Sequence, residues 1–265
     1  MNIFNREMRA NRKSLIIWCV GILFIVGSGM AKYAALSNTG DSINKLMADM
    51  PASLQALMGI GSLDLATVDG YFGLLYLYLV IMASIHAAML GATMISKEER
   101  DKTAEFLFVK PISRTTVITA KLGASIVIVI VFNLVTLLSS IVSVDFYNTG
   151  DSVSAEVALL MGGMFMMQLL FLFLSAAVAA FVKKPKLSIP ISTGILLVTF
   201  IMSVGIDLKS NLKDLKYVTP FKYYEAQNLL HDGGFDGKII VISLLIMIGS
   251  ILTTYVFYRK RDLHI

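Results

Sequence analysis

Six separate stretches of this 265-residue chain are apolar for at least as long as a helix needs to cross a bilayer, roughly 18–20 residues. They cover approximately residues 14–36, 71–95, 117–144, 155–182, 187–206 and 238–258. No other feature narrows the possible folds so far. Runs this long lack the polar stripe that a water-facing helix would show. In lipid they have to be helices or closed barrels, because nothing else satisfies every backbone polar group internally. Composition agrees: 56% of residues are hydrophobic and only 15% charged, against about 45–50% and about 25% in soluble domains. The sequence therefore predicts an all-α integral membrane protein with six transmembrane helices, built as a single domain over residues 1–265.

The formal net charge of +5 does not call for nucleic acid. Lys and Arg sit at the ends of the apolar runs, as the positive-inside rule requires. Sixteen of the 23 fall before residue 14, between 97 and 121, at 183–186 and after 258, and seven fall on the other side. With an even number of spans, that asymmetry puts both termini in the cytoplasm. The first run is too long for a secretory signal and is not closed by a small-residue cleavage site, so it reads as a retained span. Ahead of it, residues 2–13 are basic, yet Ile3, Phe4 and Met8 can share one helical face. This segment reads as an interfacial N-terminal helix whose cations reach lipid headgroups, or alternatively as a basic leader. Cys19 is the single cysteine, so no disulfide can form within the chain and no metal site of zinc spacing exists.

Within the second span, Ala83, Ala87 and Gly91 form a small-residue row, with Ser84, Ala88 and Ala92 beside it, suited to close helix crossing in lipid. Between the first two spans, Ile43, Leu46, Met47 and Met50 precede Pro51, and Leu54, Leu57 and Met58 precede Gly59 and Gly61. That pattern predicts two short amphipathic helices on the outer face. The span interiors hold no Asp or Glu, which weighs against ion-coupled carriers, intramembrane proteases and, more weakly, a cationic substrate. His86, Asn133 and Gln168 are the polar intramembrane residues, expected as interhelical hydrogen-bond partners. They are also the only material for a membrane-embedded enzyme. There is no phosphate-binding P-loop, since the sole Gly-Lys pair is Gly237–Lys238 followed by Ile239, and no G-x-S-x-G elbow. His231–Asp232 reads as a solvated turn.

The most charged stretch, 96–116, begins with Glu98, Glu99 and Arg100, continues as a short amphipathic helix carrying Phe106, Leu107 and Val109, and stops at Pro111, before Ser113 caps the third span. Its apolar patch needs an interface or a partner. The succession Glu99, Thr103, Glu105, Leu107, Pro111, Ser113 and Arg114 resembles the ABC-2-type permeases of ABC exporters. Met50-Pro51 through Gly59, Asp69-Gly70-Tyr71, and Thr219-Pro220-Phe221 with Tyr223 and Tyr224 are similar to that family's outer loops, so the resemblance spans nearly the whole chain. Family members often carry Gly near position 102 or 103, whereas this chain has Lys102-Thr103, which implies a less sharp turn.

The resemblance implies a cytoplasmic coupling helix between spans two and three that docks on a separate ABC ATPase subunit. Glu98, Glu99, Arg100, Thr103, Glu105, Phe106, Leu107, Pro111, Ser113 and Arg114 would form that coupling surface. It also implies a re-entrant outer loop at 207–237 with Val218, Pro220, Phe221, Tyr223 and Tyr224 at an outer gate. A second permease copy or homologue, surrounding lipid, and a bacterial cell membrane complete the picture. No cofactor is expected in this chain, ATP and Mg belonging to the partner. The alternatives left open are an embedded enzyme and a non-transporting immunity or regulatory protein.

Overall fold

The computed structural model describes residues 3–36, 42–61, 63–103, 112–148, 150 and 152–260. Among them the regular structure is helical, with no strand. Nine α-helices follow one another among the described residues: α1 Ile3–Leu36, α2 Ser42–Ala48, α3 Ala52–Met58, α4 Val68–Arg100, α5 Arg114–Tyr147, α6 Ser154–Phe181, α7 Ser188–Leu208, α8 Ala226–Asp232 and α9 Gly237–Lys260. Short 3₁₀ segments cover Pro185–Leu187, Ser210–Tyr217 and Pro220–Lys222. The six long helices α1, α4, α5, α6, α7 and α9 are long and apolar enough to cross a membrane.

Local chemistry sets most boundaries. The Thr67 side chain accepts a hydrogen bond from the Gly70 amide at the start of α4, and that of Ser113 does the same for Thr116 at the start of α5. Pro51 precedes α3, and Gly59, at φ 66, closes it in the left-handed conformation. Gly70 is fixed by space, because a Cβ there would collide with the Asp64 carbonyl oxygen.

The expected separate N-terminal helix is instead the first turns of one unbroken helix, α1. No Pro or Gly interrupts residues 3–20, so nothing obliges the chain to bend where its polarity changes. At about 1.5 Å per residue, helices of 33–34 residues such as α1, α4 and α5 measure about 50 Å, well beyond a hydrocarbon core of about 30 Å. Their ends must leave the apolar layer.

Helices α4 and α6 share the most extensive contact and form the centre of the bundle, with α1 against α5, α9 against α6, and α7 against both central helices. The small-residue row makes the α4–α6 crossing possible. Ala83, Ala87, Ala88 and Ala92 are fully buried, and a Cβ on Gly91 would run into the Leu172 carbonyl oxygen. The outward faces of the other helices are apolar: Phe24 on α1, Val142 on α5, Ile201 on α7 and Leu245 on α9 are each at least 64% exposed, as lipid contact demands.

Candidate functional site

At the end of the bundle where α1 and α5 begin and α4 finishes, charged side chains from all three helices converge. Glu7 and Lys121 are completely buried and Glu98 nearly so. Lys121 makes an ion pair with Glu98 and donates a second hydrogen bond to the Met94 carbonyl at 2.6 Å. Lys97 pairs with Glu7. Arg6 bridges the two acids, at 2.9 Å from Glu7 and 3.0 Å from Glu98. The Asn11 amide donates to the Glu7 carbonyl at 2.9 Å. Charges buried this deeply persist only when each is paired, and here the pairing joins three helices.

Immediately beyond, α4 ends in a tight turn. Lys102 takes φ 55, and the Thr103 amide reaches back to the Glu98 carbonyl at 2.7 Å. The turn is thus as sharp as one made by glycine, contrary to the expectation for Lys102-Thr103, because this bond closes the helix end whichever residue occupies the left-handed position. Arg100 pairs with its neighbour Asp101. The Arg114 guanidinium donates to the Arg259 carbonyl at 3.1 Å, capping the end of α9. Glu105, Phe106, Leu107 and Pro111 lie outside the described residues.

Midway along the bundle, Asn133 on α5 donates to the Gln168 side-chain oxygen at 3.2 Å and to the Met161 carbonyl at 3.3 Å. His86 makes aromatic contacts instead: its ring stacks on Phe132, centroids 4.8 Å apart, and tilts against Trp18 at 5.3 Å. Its Nδ1 has no hydrogen-bond partner. Asn133 and Gln168 thus meet each other as an interhelical hydrogen-bonded pair, while His86 is held by rings.

At the opposite end, residues 219–224 fold into the bundle. Thr219 donates to the Thr199 carbonyl at 2.6 Å, and Phe221 lies among Phe171 and Phe200. Tyr223 donates to the Tyr217 carbonyl at 2.5 Å, Tyr224 reaches Ser243 at 2.8 Å, and Tyr76 donates to the Tyr224 carbonyl at 3.1 Å. Pro220 is buried with them, while Val218 faces outward. Lys222, also buried, pairs with both Asp207 and Glu225. Burial pushes the Glu225 carboxyl above its ordinary range despite the opposing pull of Lys222.

Residues 1–263 match a family described as ABC-2 family transporter protein. The chain belongs to that family. A comparison with curated proteins returned no match. With six helices able to cross a membrane, this ABC-2 protein is a multi-pass membrane protein and a transport permease. Among its described residues no group of His, Cys, Asp or Glu is arranged to hold a metal ion.

Sequence reasoning about the permease missed the buried ion pairs. Glu98 had been assigned to a surface, yet it turns inward to Lys121. Glu7 lies in the segment whose pattern predicts an interfacial helix with its polar side chains at the headgroups, yet it is buried between helices. The partners are 90 and 23 residues apart, so local spacing gives no hint of them. The one available signal is Lys121 itself, standing several residues inside the third apolar run.

Proposed function

We propose that this permease is the membrane-spanning subunit of an ATP-driven exporter, a single domain over residues 1–265 that couples to a separate ABC ATPase through the connection between α4 and α5. ATP and Mg²⁺ bind on the ATPase, and a second permease, identical or homologous, completes the transmembrane path. Both termini and the 96–116 stretch face the cytoplasm of a bacterial cell, and the first turns of α1 lie at the membrane interface.

The observation that carries this reading is the convergence of ion-paired helix ends on the root of the charged connection. A partner gripping Glu99, Arg100, Thr103, Glu105, Phe106, Leu107 and Pro111 would pull on the end of α4. Glu98 and Lys97 are tied to Lys121, Arg6 and Glu7, so α1 and α5 would have to follow. Ser113 and Arg114 extend the linkage, the first by starting α5 and the second by joining it to α9. Closure of two ATPases would thus be converted into movement of several spans at once. At the far end the buried segment from Pro220 to Tyr224, flanked by exposed Val218, acts as a re-entrant outer gate.

The test is whether a P-loop ATPase co-purifies with the permease from its native membrane in mild detergent, followed by ATP hydrolysis in reconstituted vesicles. Reversing charge at Glu99 and Arg100, or substituting Pro111→Ala, should abolish stimulation of hydrolysis while membrane insertion stays normal. Normal stimulation by these variants would refute the coupling surface, and the lack of any bound ATPase would refute the exporter reading.

A further inference from the structure

Two cavities meet at the end of the bundle that carries the 219–227 segment. The inner one, about 300 Å³, lies among α3, α4, α7 and that segment, and Tyr76, Phe200, Phe221 and Tyr224 supply aromatic wall. The other, about 700 Å³, includes Asp214, Lys216 and Asn228 in its lining. Asp207, Glu225 and Gln227 belong to both. These three residues line both chambers and mark the neck where the two adjoin.

Charge at the neck is unbalanced. Lys222 is held by Asp207 and Glu225 together, so two carboxylates face one ammonium. In the wider chamber Asp214 and Lys216 are both exposed and offset each other. One negative charge is left over beside a chamber walled by rings, whose faces attract cations, most strongly when water is excluded. A volume of about 300 Å³ lies at the lower limit of small-molecule pockets, about 300–1,000 Å³. It suits one ring and a cationic head. The carboxylates that sequence reading did not find inside the spans are present here, Asp207 in the last turn of α7 and Glu225 just before α8.

We propose that the inner cavity forms a binding site for a small organic cation with an aromatic or apolar body, its charge at the Asp207–Glu225 neck and its body against Tyr76, Phe200, Phe221 and Tyr224. The inference concerns binding alone and holds without an ATPase.

Isothermal titration at pH 8 of the full-length permease in lipid nanodiscs, without nucleotide or ATPase, tests it with two probes of similar shape. Benzyltrimethylammonium should bind saturably, and phenylmethanesulfonate, an anion, should not. Asp207→Asn and Glu225→Gln should each weaken the cation about tenfold, equivalent to about 1.4 kcal/mol. Lys222→Met should tighten it, an effect that misfolding cannot imitate. Absence of cation binding, equal binding of the two probes, unchanged affinity in both carboxamide variants, or weaker binding by a Lys222→Met protein that melts at the wild-type temperature would each overturn the site. None of those results bears on ATPase coupling, which is read separately by co-purification.

Discussion

A side chain at φ 55, as on Lys102, meets a backbone clash that costs about 1–2 kcal/mol. Glycine escapes the clash but loses more chain entropy on folding. Lys102→Gly should therefore stabilise the end of α4 by a net of about 0.5–1 kcal/mol, seen as slower hydrogen exchange at the Thr103 amide. Faster exchange would mean that the lysine side chain contributes more than its strain costs. Lys121 presents the converse case, a charge that cannot reach water. Lys121→Met leaves Glu98 with the half-buried Arg6 as its remaining ion-pair partner and should lower stability by about 3 kcal/mol, the lower end for a broken buried pair. The double variant Glu98→Gln with Lys121→Met removes both charges and should recover most of that loss. Thermal unfolding of the purified proteins reads both, and a double variant no better than the single one would show that the pairing is not what holds these helix ends.

Among the helices, the α4–α6 crossing tolerates no added atoms. Gly91→Leu has to force the two backbones apart, and overpacking of this kind costs about 1–3 kcal/mol or more. Gly194 and Gly249 have open space around the position of a Cβ, so alanine at either should leave the protein unchanged. Size-exclusion profiles and melting temperatures of the three variants check the contrast, and a stable Gly91→Leu would contradict it. This crossing was readable in the sequence because Ala83, Ala87 and Gly91 recur every four residues on one helix face. The paired helices α2 and α3 were readable because Pro51 and Gly59 punctuate them. The continuity of α1 was not, since its polar start resembles a surface segment until Glu7 and Arg6 are seen engaging α4. Gln168 and Asn133 could be recognised as polar residues in apolar runs, but their meeting depends on how α5 and α6 pack. The same holds for the neck between the cavities, where Asp207, Lys222 and Glu225 are brought together by the return of the chain after α7.

For the molecule as a whole, the charge count along the sequence is uneven: sixteen Lys and Arg fall in the segments expected on the side of the chain termini and seven in those expected on the other. The orientation that follows is testable by labelling. In a Cys19→Ser background, Asn228→Cys should react with an impermeant maleimide on intact cells, and Lys184→Cys only after permeabilisation. The reverse pattern would invert the molecule and refute the coupling proposed for the connection between α4 and α5. The contact at Gly91 has a mechanical corollary. Helices whose backbones already touch have no clearance to slide past one another, so α4 and α6 act as one beam, and a displacement imposed on the end of α4 would be carried into α6 undiminished.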